Sequence, residues 1–269
     1  MSKTTIEVVI IGAGHMGSAI ALGLKRSSLN ILITAVDPDL ARRNAMTTME
    51  IYTVEDLPNH STPDLIILAI PPQAFKKMST KNLNLEQYEG PVISVMAGIH
   101  LSELAAKLNT PQLCRAIPNL ACAINEGMTA LSFHTQITEE NIRLIEAIFS
   151  SLGKTITIKD ETLIDSATAL IGGGPAYISY FTAALMEYAI STGFDKDHAT
   201  SIAIQSLRGT TTLLSTSHNP PMALCEKVMT PEGTTIQAIN FFNSMQLRTI
   251  IVDGLKRSQD RSIELGKGV

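Results

Sequence analysis

The residues with the most specific chemical signal are Gly12-Ala13-Gly14-His15-Met16-Gly17, which follow the β-branched run Ile6–Ile11 and open a stretch with helical spacing. Each glycine has its own task. Gly12 permits a tight turn out of the strand, Gly14 lets the backbone approach a pyrophosphate, and Gly17 lets helix and strand pack closely. The pyrophosphate would sit on free N–H groups at the positive end of the helix, with His15 and Met16 beside it. Asp37 ends the next strand, 20 residues beyond Gly17, where a carboxylate can accept hydrogen bonds from the adenosine ribose. The same Asp37-Pro38-Asp39 also reads as a turn and helix cap. The loops Ala69-Ile70-Pro71-Pro72 and Met96-Ala97-Gly98 follow later strands, and in an open parallel sheet ligands lie beyond the carboxyl ends of the strands. Their prolines and glycine also read as plain strand terminators. Asp56 and Asn119 complete the expected cofactor contacts.

The elements that must position these groups come from the hydrophobic pattern. The first half alternates β-branched runs with helical segments, which predicts an α/β, doubly wound parallel sheet covered by helices on both faces. Expected strands are Ile6–Ile11, Ile31–Val36, Leu65–Ile70, Val92–Val95, Cys114–Ile117 and a closing strand at Thr155–Ile158. Helical spacing appears in Met16, Ile20, Ala21 and Leu24, and again over Glu139–Ser150. After Asp160 the texture changes to long helical runs, placing a domain boundary there: 1–160 for the dinucleotide and 161–269 for a helical domain. One run carries Ala199, Ile202, Ala203, Ser206, Leu207, Thr210, Leu213 and Leu214. A second carries Ile236, Ile239, Leu247, Ile250, Ile251 and Leu255, broken at Asn240 and Asn243. At most four helices are expected, too few to cover such stripes, so a second copy of the chain is the expected cover.

Charge and composition narrow the classes. The net charge of −4 leaves no basic stripe for a run of phosphates, which excludes a nucleic-acid binder. The short apolar stretch around Glu7 is too brief for a signal peptide core or a membrane span, so a cytoplasmic protein without membrane contact is expected. Cys114, Cys122 and Cys225 form no CxxC pair and have no His at metal spacing, so they read as reduced core thiols and no metal is expected.

Three further segments resemble one family. Arg115-Ala116-Ile117-Pro118-Asn119 followed by Gly127-Met128-Thr129-Ala130-Leu131 is similar to its Arg-x-Met-Pro-Asn segment and Gly-Met-Thr-Ala-Leu strand. Ala169–Tyr177 is similar to its Ala-Leu-Ser-Gly-Ser-Gly-Pro-Ala-Tyr helix start. Val228-Met229-Thr230-Pro231-Glu232-Gly233-Thr234-Thr235-Ile236 is similar to its Pro-Gly-Gly-Thr-Thr signature. In this order they resemble pyrroline-5-carboxylate reductase over essentially the whole chain.

That resemblance implies hydride transfer from NADPH or NADH to the C=N bond of pyrroline-5-carboxylate, giving proline, the last step of proline biosynthesis. It implies a homodimer whose site is shared between one subunit's cofactor domain and a partner's C-terminal loop, with dimers assembling further. It assigns substrate binding to Val228, Met229, Thr230, Gly233 and Thr234, and places Thr235 near the imine nitrogen in an orienting, catalytic role. The residues agree: Pro231 and Gly233 break regular structure before an apolar helix, leaving N–H groups able to hold a carboxylate. Thr234 or Thr235 also reads as an ordinary N-cap.

The departures bear on substrate and cofactor. Many members have Asn-Thr-Pro where this chain has Asn119-Leu120-Ala121, Ser-Gly-Ser-Gly where it has Ile171-Gly172-Gly173-Gly174, and Val-Lys-Pro where it has Ile70-Pro71-Pro72. Glu232 stands for the loop's first glycine. A related reductase of another cyclic imino acid, or a nucleotide-binding homologue without turnover, is the alternative. Asp37 would repel a 2′-phosphate and so tilts the expectation towards NADH, while Arg42 and Arg43 lie near enough to offset it.

Overall fold

The computed structural model describes residues 5–58, 61–78, 85, 88–217 and 219–267. The strands are β1 (Ile6–Ile11), β2 (Ile31–Val36), β3 (Tyr52–Val54), β4 (Leu65–Leu68), β5 (Val92–Ser94), β6 (Leu113–Ile117), β7 (Gly127–Phe133) and β8 (Gly153–Thr157). They form one sheet in the order β3-β2-β1-β4-β5-β6-β7-β8. Every neighbouring pair is parallel except β6 and β7, which run antiparallel. The doubly wound sheet expected above is therefore mixed at one junction, where a short connection reverses the chain instead of a crossover helix. It also contains β3 and β7, which hydrophobic periodicity did not single out.

The chain winds outward from β1 to β3 and then returns to β4 on the other side of β1, which makes a topological switch point. Register does the rest. Ile11 pairs with Val36 on one side and with Leu68 on the other, so Gly12, Asp37 and Ala69 leave the sheet side by side.

Helices α1 (His15–Arg26), α2 (Leu40–Thr48), α3 (Pro72–Lys77), α4 (Leu101–Leu108) and α5 (Glu139–Ser150) cover the sheet. In α1 the buried residues Gly17, Ile20, Ala21 and Leu24 fall on one stripe, which packs with Val8, Ile10 and Ile67. Val9, Ile66 and Leu68 point to the other face and pack with Phe75 and Leu104. Strand residues alternate between two apolar layers, as burial on both faces requires.

Beyond β8 lie α6 (Leu163–Ala167), a π-helical turn (Thr168–Gly172), α7 (Gly174–Ser191), α8 (Lys196–Thr216), α9 (Pro221–Val228), α10 (Thr234–Ser244) and α11 (Leu247–Lys267). The helical region thus has six α-helices among the described residues, not four. The second apolar stripe is interrupted at Met245 and Gln246, the latter with φ +53°, while Asn240 and Asn243 stay inside α10.

The chain packs as two compact units, Met1–Pro175 with Lys256–Val269, and Ala176–Leu255. The last strand ends at Thr157, shortly before residue 160. α6 stays with the sheet because Ile164 and Ala167 pack on Ile117 and Ala130. In the second unit the buried apolar side chains among the described residues are Ala189, Ala199 and Ala203, while Tyr180 is 83% and Phe241 62% exposed. Three alanines cannot hold a unit of this size together. The run Leu163–Ser191 contains an 18-residue stretch of mean hydropathy 1.2 and is also long and apolar enough to cross a membrane by length and composition alone.

Candidate functional site

The glycine turn has the geometry its sequence predicts. Gly12 has φ +106°, and a Cβ there would lie 2.5 Å from the Ala69 carbonyl oxygen. A Cβ on Gly17 would lie 1.9 Å from the Gly12 oxygen, so helix and turn meet backbone to backbone. Gly14 is different: nothing lies within 4 Å of its Cβ position. It is the N-cap of α1, and no side chain caps that helix. Free N–H groups thus border open space, the arrangement a pyrophosphate fits.

Asp37 is 3% exposed. Its Oδ2 accepts the Ala13 N–H at 2.8 Å and its Oδ1 accepts the Asp39 N–H at 2.9 Å. The carboxylate therefore fastens the glycine turn from below. Asp39, not Asp37, caps α2 by accepting from the N–H groups of Ala41 and Arg42. The two arginines separate in role. Arg43 donates to the carbonyls of Asp37 and Pro38 at 2.8 and 3.0 Å and is largely buried by those contacts. Arg42 is half exposed, with Nη1 3.6 Å from Asp37 Oδ2.

A cleft of about 740 Å³ opens at the switch point. It brings together Gly12, Gly14, His15, Met16, Asp37, Asp56, Ala69, Ile70, Pro71 and Ala97 from the expected set. Gly17, Gly98 and Asn119 do not line it. Gly17 is spent on helix packing. Asn119 accepts the Ala121 N–H at 3.2 Å and so caps a 3-10 turn at Leu120–Ile124. Gly98, with φ +74°, turns its open side to α11, where a Cβ would lie 2.5 Å from the Gly266 nitrogen. Lining residues that sequence reasoning left out include Leu57, Ala74 and Met78, which with Met96 make an apolar wall. Leu57 follows β3, and locating that strand would have drawn attention to it.

The expected substrate residues lie in the other compact unit and are described by themselves. α9 ends at Val228, and Met229 is its C-cap. The Gly233 N–H then donates to the Thr230 carbonyl at 2.9 Å, closing a turn. A Cβ on Gly233 would lie 2.3 Å from Thr230 Oγ1 and 3.0 Å from the Thr230 carbonyl oxygen, so a side chain there would have to displace the threonine hydroxyl. Glu232 adopts φ +59°, a left-handed conformation that glycine takes more readily. Gly233 is the N-cap of α10, again without a side-chain cap, and Thr234 and Thr235 are its first residues. The N–H groups of this first turn are free to receive a carboxylate.

Arg115, from the expected Arg-x-Met-Pro-Asn segment, is fully buried. Its Nη1 donates to Glu161 Oε1 at 2.8 Å, and the same oxygen accepts the Leu101 N–H at 2.8 Å. This segment acts at the start of α4 rather than in the cleft. Burial pushes the Cys114 and Cys122 thiols up from their ordinary range, as expected of core thiols without chemistry.

Fold and cleft together define a dinucleotide-dependent oxidoreductase. Residues 7–98 match the family described as NADP oxidoreductase coenzyme F420-dependent, and residues 161–265 match pyrroline-5-carboxylate reductase dimerisation. The chain is 30% identical to the pyrroline-5-carboxylate reductase of Arabidopsis thaliana over 98% of its own length and 96% of the relative's. It is also 30% identical to that of Aquifex aeolicus, over 97% and 98%. The solved 1-pyrroline-5-carboxylate reductase of Streptococcus pyogenes superposes with a TM-score of 0.84 at 27% identity, covering 97% of this chain and 99% of that one. A pyrroline carboxylate reductase of Plasmodium falciparum, solved with NADP bound, shares the fold with a TM-score of 0.87 at 21% identity, covering 97% and 98%. The chain belongs to the pyrroline-5-carboxylate reductase family.

Proposed function

We propose that the protein reduces the C=N bond of pyrroline-5-carboxylate to give proline. A bound reduced nicotinamide would supply the hydride, and a proton completes the amine. The observation that carries this reading is that two of the chain's uncapped helix starts fall at the expected ligand positions. One, at Gly14, borders the dinucleotide cleft, and the other, at Gly233, follows the family's substrate loop.

In this reading Val228, Met229, Thr230, Gly233 and Thr234 form the carboxylate cradle, with the free N–H groups of the first turn of α10 as donors rather than a lysine or arginine. Thr235 orients the imine nitrogen by one hydrogen bond. A hydroxyl is too weak an acid to protonate an imine, so positioning dominates the catalysis. A second subunit covers the exposed faces of α7, α8, α10 and α11, and the apolar run Leu163–Ser191 meets that partner rather than lipid. The partner also completes the active site, and dimers assemble further in the cytoplasm.

The cofactor reading moves from the NADH expected above to NADPH. What supports this is that both oxygens of Asp37 are already engaged by backbone N–H groups, while Arg42 keeps a half-exposed guanidinium at the cleft. Glu232, left-handed where many members have glycine, favours one further reading, an altered imine preference. Oxidation of NADPH and of NADH should be followed with pyrroline-5-carboxylate and with a panel of five- and six-membered cyclic imino acids. Fastest turnover with pyrroline-5-carboxylate and NADPH is expected. Faster turnover of another ring would move the substrate, and cofactor binding without turnover on any imine would overturn the activity.

A further inference from the structure

We infer that the last turns of α11 are a positioning element for the cofactor cleft, holding the β4–α3 and β5–α4 loops at the spacing a bound dinucleotide needs. The central contact is a reciprocal pair of glycines. A Cβ on Gly98 would lie 2.5 Å from the Gly266 nitrogen and 2.7 Å from the Ser262 oxygen, and a Cβ on Gly266 would lie 2.4 Å from the Gly98 oxygen. Backbone meets backbone, so neither position has room for a side chain.

Two more contacts fix the helix end. Lys76, on α3, donates from Nζ to the Leu265 and Gly266 carbonyls at 3.2 and 2.7 Å. These carbonyls lie in the last described turn of α11, and a cation there meets the negative end of the helix. Ser262 Oγ donates to Asp165 Oδ1 at 2.7 Å, with both residues buried. The β5–α4 loop is therefore pinned at Gly98 by α11 and at Leu101 by Glu161.

The anchored residues sit directly beside the cleft without entering it. Ala97 lines the cleft and Gly98 follows it; Pro71, Pro72 and Ala74 line it and Lys76 lies two residues on. Ser262, Leu265, Gly266 and Lys76 themselves form no part of the lining. Any effect on the cofactor must then pass through the two loops, which a packed contact transmits without much slack.

The inference rests on the proposed cofactor cleft but not on the imine. The test is accordingly a fluorescence titration with NADPH alone, backed by steady-state kinetics and thermal melts of the full-length protein. Gly266→Val should weaken cofactor binding about tenfold, because the added methyls push Gly98 outward. The cofactor KM should rise with the Kd, while kcat and the imine KM change much less. Lys76→Met should weaken binding about threefold, and Lys76→Arg, which keeps a cationic donor, should restore it. Should the valine variant fail to fold, the Lys76 pair decides. Unchanged Kd in Lys76→Met, or equal losses in the methionine and arginine variants, would overturn the positioning role. Wild-type protein that binds NADPH but turns over no imine would sink the proposed activity and leave this test standing.

Discussion

Replacing Arg42 by alanine should lower kcat/KM for NADPH about 2- to 30-fold while leaving NADH within a small factor, and the magnitude follows from where the guanidinium sits. Its Nη1 lies 3.6 Å from Asp37 Oδ2. Coulomb's law at that separation and an effective dielectric near 20 gives about 5 kcal/mol for the ion pair. The arginine is half exposed, however, and exposed pairs measure nearer to about 1 kcal/mol, so swinging it from Asp37 to a 2′-phosphate costs little. The new charge-assisted bonds are worth about 1.5–3 kcal/mol, leaving a net gain of about 0.5–2 kcal/mol for NADPH over NADH. The assay is initial-rate kinetics with each cofactor at saturating imine, repeated at rising salt, where the discrimination should shrink. Asp37→Ser is the companion variant. A simple charge argument has it favour NADPH. The buried bonds to Ala13 and Asp39 imply instead that both cofactors weaken, by about 1–3 kcal/mol for the acceptors lost. An Arg42→Ala enzyme with an unchanged cofactor ratio, or an Asp37→Ser enzyme improved with NADPH, would refute the reasoning.

Gly14→Ala should fold with an unchanged melting temperature yet bind cofactor at least about tenfold more weakly, since its Cβ fills the space reserved for the pyrophosphate, whereas Gly12→Ala should destabilise the fold itself. Calorimetry beside cofactor titration separates the two outcomes. Thr235→Ala should cost about 10- to 100-fold in turnover with cofactor affinity intact, and Thr235→Ser should keep most activity; normal turnover in the alanine variant removes Thr235 from the mechanism. Sedimentation should show no substantial monomer at micromolar concentration, and Phe181→Asp should shift the protein to monomer with loss of activity, because Phe181 is 46% exposed in a unit with almost no core of its own. An active monomer contradicts the shared site. In native protein at mildly alkaline pH, Cys225 should alkylate first, while Cys114 and Cys122, whose thiols burial holds in the neutral form, should react only on unfolding.

How much of this was legible beforehand depends on whether a feature is local. Strands β1 and β2 and helix α5 carry their own periodicity, and their bounds can be read from the residues alone. β3 is three residues, Tyr52-Thr53-Val54, with Tyr52 largely exposed, and it exists because β2 offers an edge to pair with. β7 alternates too weakly to stand out, and only the family pattern marked it. The break between α10 and α11 turns on Gln246 in a left-handed conformation, which its side chain does not announce, while the asparagines that looked like breakers sit exposed on a continuous helix.

The same distinction runs through the site. A glycine signals that something approaches closely, but not what approaches. For Gly12 and Gly17 the approaching groups lie in the same strand–turn–helix motif or at the end of the adjacent strand, so the motif names them. For Gly98 the partner is Gly266 at the far end of the chain, and no spacing rule connects the two. Asp37 shows the reverse case: its position after β2 is right for a ribose, yet the nearest donors are the chain's own N–H groups. Position along a motif selects the neighbourhood of a ligand. Whether a side chain there faces the ligand or the loop that holds it is decided by which donors reach it first, and that competition is three-dimensional.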